Sequence, residues 1–334
     1  MPIDITLAIR DESGSYYINA YIVLVSVFEN TKSPVRVHIL HDDSIHYGKA
    51  DLEELCAKYG QEILFHRVPD FDPEVAASIT RWFNLGTMYR YYMQDFIPSE
   101  KVIYLDCDII VNRDIKDLWE VPLNGALVGA VKDFSSYWTK SGQVRSKYRE
   151  KIAYLKITPD TCYDAGVMVV NLERLRELDR NLGPGRNLLM ERTIAALDLD
   201  INLECPDQDI LNAVCAELPN GLLLLDESFN YMLTKAGRLY DGLDVMQGKI
   251  VQFIKGKTDE YFFPAQLVYW KYYAKSKFST DMFERMDAVF RNKRMRIFEF
   301  YAKNPKHRQH ATDLLESGFG GLLMKSLGRS GKKK

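Results

Sequence analysis

Short apolar runs and amphipathic stretches take turns along the first 130 residues. Residues 3–9 alternate and then run apolar, and residues 35–40 and 63–65 form two more compact apolar runs. Stretches with helical spacing lie between them, at 16–28 and at 49–59, the second closed by Gly60. Strands alternating with helices predict a mostly parallel sheet covered on both faces, and ligands on such sheets bind outside the carboxyl ends of the strands. Residues 85–96 predict a further helix, and the run Val102, Ile103, Tyr104, Leu105 a strand buried on both faces. Later strands are expected over 126–131, 162–172 and 251–254. Helices are expected over 173–199, interrupted at Gly183-Pro184-Gly185, then from Pro206 with Ile210, Leu211, Val214 and Leu218 inward, and over 265–278 and 280–301. Residues 134–160 show no clean period and read as an excursion suited to a lid or an acceptor wall.

The strand at 102–105 ends in charge. Asp106 and Asp108, separated by Cys107, can converge on one Mg²⁺ or Mn²⁺ that bridges nucleotide phosphates; the same pair equally suits capping of the next turn. Arg90, on the helix before this strand, either sets a cation beside a phosphate or lies in solvent. Lys255-Gly256-Lys257 is a basic glycine turn of a kind that holds phosphate. Asp207 and Asp209 fall in a first helical turn, where aspartates ordinarily cap.

A chain of 334 residues, 46% hydrophobic, can build one large α/β domain with an appendage. Its first ten residues lack a basic leader before a long apolar run, so neither a signal peptide nor a membrane span is expected. Five cysteines without a CxxC pair suggest buried thiols in a reducing cytoplasm and argue against a zinc site. The net charge of −2 conceals an asymmetry: residues 291–334 hold twelve Lys or Arg against three Asp or Glu, a balance of +9, which leaves −11 for residues 1–290. The acidic body argues against nucleic acid as a partner. The basic tail, with apolar Leu314, Leu315, Phe319, Leu322, Leu323 and Leu327, suits an anionic membrane surface on the cytoplasmic side. Glycines at 318, 320 and 321 oppose a continuous amphipathic helix, and the alternative is a helix packed on the body followed by a frayed basic end.

Four motifs, LDCD, YDAGVMVVNL, DQDILN and FNYMLT, follow one another over some 130 residues. In that order they resemble glycosyltransferase family 8, which includes bacterial lipopolysaccharide galactosyl- and glucosyltransferases and glycogenin. The resemblance implies a GT-A fold over residues 1–263, with a helical C-terminal region over 264–334. It also implies Mn²⁺ (or Mg²⁺), a UDP-sugar donor, a glycan or lipid-linked acceptor, and hexose transfer with retention. By motif, Asp106 and Asp108 match the metal ligands, with Cys107 between them at the donor. Arg90 matches a donor-contacting arginine, Asp133 a residue near the transferred sugar, and Ala165 and Gly166 the small pair beside it. Asp207 and Gln208 match the acidic and amide residues at the reacting face.

Departures from the family pattern are specific. Gln252 stands where the family has a histidine as third metal ligand, and Lys255 and Lys257 flank Gly256 in a different register. Asp164 replaces the asparagine of N-A-G. The first-strand A-x-D reads Ala8-Ile9-Arg10-Asp11, which leaves uracil or ribose recognition to be rearranged or carried by Asp11. Two other readings stay open: a sugar nucleotidyltransferase, for which the segment from Arg10 to Ser15 offers a single glycine, and a non-catalytic sugar-nucleotide-binding protein, motivated by Gln252 and Arg10.

Overall fold

The computed structural model describes residues 2–285 apart from 81–83, 134–136, 140, 204, 234–237, 239–240, 254–263 and 283. These fall into two units. The first is made of residues up to Tyr21, Thr31–Cys107 and Asp114–Asn230; the second of Ile22–Asn30, Asp108–Arg113 and the described residues from Tyr231 on.

The strands are β1 (Ile3–Ile9), β2 (Val35–His41), β3 (Glu62–Arg67), β4 (Lys101–Leu105), β5 (Ile109–Val111), β6 (Val128–Lys132), β7 (Tyr163–Asn171), β8 (Leu222–Leu225), β9 (Tyr231–Met232) and β10 (Ile250–Gln252). Seven of them form the sheet of the first unit in the order β3-β2-β1-β4-β7-β6-β8. It is mostly parallel, as the alternating pattern predicts; β7 alone runs antiparallel to its neighbours β4 and β6. The apolar runs occupy the centre: every residue of β1 is buried, and so are Val102 to Leu105 of β4. Ile5 pairs with Ile103 and Thr6 with Tyr104. Edge strand β3 alternates exposed and half-buried positions over its first four residues, the signature of a strand with one wet face.

Helices α1 (Tyr17–Asn30), α2 (Lys49–Lys58), α3 (Pro73–Thr80), α4 (Met93–Phe96), α5 (Lys116–Trp119), α6 (Arg149–Leu155), α7 (Leu172–Leu182), α8 (Leu188–Asp198) and α9 (Pro206–Glu217) connect these strands. Asparagines begin two of them. Asn171 Oδ1 accepts from Arg174 N and Asn187 Oδ1 from Met190 N, each at 3.0 Å, satisfying amides that a helix start leaves open.

Two sequence expectations need correction. Residues 85–96 form a 3-10 turn, Leu85–Tyr92, followed by one turn of α4. The excursion at 134–160 contains α6, and Tyr137, Tyr148, Ile152 and Leu155 are buried in the main core, so the described residues between 137 and 155 are an anchored segment and no lid. Leu218, expected inward, is half-buried and packs against that core.

In the second unit β10 pairs antiparallel with β5 and parallel with β9. Helices α10 (Leu243–Met246) and α11 (Leu267–Tyr273) belong to it, and α11 buries Leu267 to Trp270 with Tyr272 and Tyr273. The expected boundary after residue 263, most of the helix over 280–301 and the basic tail lie outside the described residues. Among the described residues no helix is long and apolar enough to cross a membrane.

Candidate functional site

Strand β4 carries the chain to Asp106, and the 3-10 turn before it sets Arg90, 2% exposed, against that carboxylate. Arg90 Nη2 donates to Asp106 Oδ1 at 2.7 Å and lies 3.2 Å from Asp207 Oδ2, while Nη1 donates to Ala165 O at 2.8 Å and Nε to Thr87 O at 3.0 Å. The guanidinium carbon sits 4.2 Å from the Tyr104 ring centroid, and the Tyr104 hydroxyl donates to Asp106 Oδ1 at 2.8 Å. Burial by itself disfavours the arginine's charge; Asp106 and Asp207 outweigh it and keep the guanidinium protonated. The alternative of a solvated Arg90 is therefore set aside.

The start of β7 completes the cluster. Asp106 N donates to Gly166 O at 2.8 Å. Asp164 Oδ1 accepts from Gly166 N and from Asn230 Nδ2, both at 2.9 Å. Burial pushes the Asp164 carboxyl up to about 6, more than its hydrogen bond from Gly166 offsets, and the Asp106 charge adds to the rise. Helix α9 opens with Pro206 and aims its first turn here: Gln208 Oε1 accepts from Ala165 N at 3.1 Å and Nε2 donates to Asp133 Oδ2 at 3.1 Å. Asn212 ties α9 to β7 by accepting from Tyr163 N at 2.7 Å and donating to Tyr163 O at 3.0 Å. Burial raises the Asp207 carboxyl against the pull of Arg90.

Arg90, Asp106, Asp133, Asp164, Ala165, Gly166, Asp207 and Gln208 are thus linked through direct contacts. Tyr104, Asn212 and Asn230 join them unforeseen; only the positions of Asn212 within DQDILN and Asn230 within FNYMLT hinted at their place.

Other expected residues lie elsewhere. Ala8, at the end of β1, accepts at its carbonyl from Cys107 Sγ at 3.7 Å. Asp11 is 1% exposed and caps α1: Oδ1 accepts from Ser13 Oγ, Ser15 N and Tyr16 N, and Oδ2 from Tyr17 N at 2.9 Å. Burial alone would raise its pKa, yet these bonds lower it. Its oxygens thus accept from the residues that open the helix. Arg10 pairs with Glu12 and lies 3.4 Å from Asp42 Oδ2, which also accepts from the Tyr89 hydroxyl at 2.7 Å. Asp42, just past β2, is a carboxylate that the motif comparison passed over. Lys255, Gly256 and Lys257 lie outside the described residues.

A divalent cation fits the donors on chemical grounds. In the second unit, Phe253 N donates to Asp108 O at 3.0 Å and Gln252 pairs with Ile109. Gln252 is 4% exposed, and its Oε1 accepts no bond from any described residue; an orphaned buried amide oxygen is a suitable ligand for a hard cation. Asp106, Asp108 and Gln252 supply oxygen donors only. In the first unit, the carboxylates of Asp106, Asp164 and Asp207 outnumber Arg90, an excess of negative charge that a divalent cation would offset beside a diphosphate. Among the described residues no three His, Cys, Asp or Glu side chains gather as a ligand set.

Comparison with known proteins adds independent findings. The family described as Glycosyl transferase family 8 matches residues 7–256. A relative from Arabidopsis thaliana, named Probable galacturonosyltransferase-like 3, is 28% identical over 165 residues, covering 46% of this chain and 46% of its own length. A Haemophilus influenzae relative is 22% identical over 207 residues, 61% of this chain and 58% of its own; the chain thus spans about half the length of these two. Among solved structures, the galactosyltransferase LgtC in complex with donor and acceptor sugar analogues superimposes with a TM-score of 0.61 at 21% identity, covering 82% of this chain and 96% of LgtC. The bifunctional glycosyltransferase WbbM gives 0.61 at 18% identity, covering 85% of this chain and 51% of its own. These likenesses show the GT-A fold.

Proposed function

The chain belongs to glycosyl transferase family 8, and from that premise we propose that it moves a hexose, galactose or glucose, from a UDP-sugar to a hydroxyl of a glycan or lipid-linked acceptor, with retention at the anomeric carbon. The observation that supports this most is the buried Arg90, whose one nitrogen is shared by Asp106 and Asp207. A buried, rigid clamp at the end of a central strand is suited to positioning a sugar nucleotide.

Asp106 and Asp108 would hold the metal with Gln252 as third ligand, and when bound the cation would meet the negative charge that grows on the departing diphosphate. The protein's own groups divide the rest of the work. Arg90, braced by Thr87 O and Ala165 O, orients Asp106 and Asp207. The carboxylate excess around it favours a sugar ring that becomes cationic as its bond to the leaving group lengthens. Gln208 is an amide fixed at both ends by Ala165 N and Asp133; it orients and lacks a carboxylate nucleophile's charge, which favours front-face displacement over a covalent sugar adduct.

Calorimetry with UDP, with and without Mn²⁺, tests the assignment: binding should require the cation, and Asp108→Asn should abolish the metal-dependent part. Unchanged UDP affinity in that variant would remove Asp108 from the ligand set. Gln252 in place of a histidine ligand, with Arg10 in the first-strand motif, favours one other reading, a non-catalytic binder of sugar nucleotides, and UDP binding without turnover of any UDP-sugar would bring it forward. For the basic tail we hold to an anionic membrane surface: the full chain should co-sediment with anionic liposomes at low salt and a chain lacking residues 303–334 should not. Both remaining in the supernatant would make the tail structural.

A further inference from the structure

Three consecutive side chains in the first turn of α9 go to three separate anchors. Asp207 meets Arg90, and Gln208 meets Ala165 N and Asp133. Asp209 turns to the excursion: its Oδ2 lies 2.5 Å from Lys151 Nζ, and its Oδ1 accepts from the Tyr137 hydroxyl at 2.7 Å. Lys151 Nζ also donates to Tyr137 Oη at 3.0 Å and lies 4.4 Å from that ring's centroid. Cys205 N donates to Asp209 Oδ2 at 3.3 Å. Lys151, Asp209 and Tyr137 are 4%, 1% and 4% exposed.

A lysine and a carboxylate buried this deeply are a poor source of stability, since desolvation consumes most of their attraction; what such a pair supplies is a defined geometry. Neighbouring residues on a helix project about 100° apart, so fixing Asp209 fixes where Gln208 and Asp207 point. We propose that Lys151 is a positioning residue for glycosyl transfer: through Asp209 and Tyr137 it sets the roll of the α9 start, and with Arg90 on the other side it brackets Gln208 against β7. The proposal rests on the reading of Asp207 and Gln208 as groups of the reacting face. Without Lys151, Asp209 would be a buried carboxylate lacking a counter-charge, and Arg90, the other cation bound to this turn, is already shared by Asp106 and Asp207.

Two variants test it, Lys151→Met and the charge-neutral Lys151→Met/Asp209→Asn, which keeps an acceptor for Tyr137 and Cys205 N if the single variant does not fold. Hydrogen exchange reads the geometry without substrate, because the Ala165 amide donates to Gln208 Oε1, whereas the Val169 amide belongs to the interior of β7. Exchange at Ala165 should accelerate at least ten-fold relative to Val169. With UDP-glucose or UDP-galactose, whichever the wild type turns over, kcat for UDP release should fall at least ten-fold with the donor KM held within three-fold. Equal change at both amides, no change at either, or an unaltered kcat would overturn the proposal. If the wild type turns over neither sugar, the amide comparison alone decides the role of Lys151, and the absence of turnover counts against the functional reading.

Discussion

Arg90 Nη2 and Asp106 Oδ1 are 2.7 Å apart with the arginine almost fully buried, and the same nitrogen reaches Asp207. A lysine could supply the charge but not the planar fork that serves Asp106, Asp207 and Ala165 O together. Arg90→Lys should lower turnover by about 10²-fold, the scale of a misplaced or missing catalytic donor. Arg90→Met, which leaves two carboxylates without their partner, should cost about 3–5 kcal/mol of stability. Urea unfolding and UDP-release kinetics check the pair of values, and near-wild-type stability in Arg90→Met would show that the clamp is not as buried as described.

Asp164 ionises late. Its carboxyl is raised from 3.8 to about 6 in the folded state, so between these values the folded chain keeps a proton that the unfolded chain has released. Stability therefore falls as pH rises through this window, and above pH 6 the full penalty stands, about 3 kcal/mol. Asp164→Asn should stabilise the protein at pH 7.5 by about that amount and by little at pH 4. Equal gains at both pH values, read from urea midpoints, would contradict the late ionisation.

His66 works with the opposite sign. It sits 2.9 Å from His38 Nδ1 and stacks between His38 and Phe96; burial, with the charges of His38 and His41, pushes it from 6.5 down to about 4. The unfolded chain takes up a proton there before the folded chain does, so stability is complete above pH 6.5 and declines toward pH 4. His66→Gln, neutral throughout, should flatten that decline in an unfolding series across pH 4–7. An unchanged slope would mean that His66 protonates equally in both states.

Gln252 is the chain's departure from a histidine ligand, and its amide oxygen is buried without a donor among the described residues. Imidazole is the better ligand for Mn²⁺-like cations, so Gln252→His should tighten Mn²⁺ binding in calorimetry. No change would mean that position 252 is not at the metal.

Much of this was legible in the sequence where one signal dominates locally. The apolar runs of β1 and β4 announce central strands, and the acidic pair after β4 announces a site. Strands β5 and β8, three and four residues long, are too short for a period to register. Asp11 illustrates a different limit: its motif position suggested a nucleotide ligand, while the amides of Ser15, Tyr16 and Tyr17 claim it as a cap. The bond between Lys151 and Asp209 joins residues that no spacing rule connects, on a helix that residues 134–160 do not advertise by periodicity. Distant pairings of this kind are decided by packing, which composition and local pattern leave open.

The central claim is that the cluster around Arg90 serves transfer from a UDP-hexose. Its most direct test is UDP release from UDP-galactose and UDP-glucose with Mn²⁺, comparing the wild type with Asp207→Asn. At least one of the two sugars should be turned over, and the variant should be slower by about 10²-fold or more. Release from neither sugar, or release that Asp207→Asn leaves untouched, would contradict it.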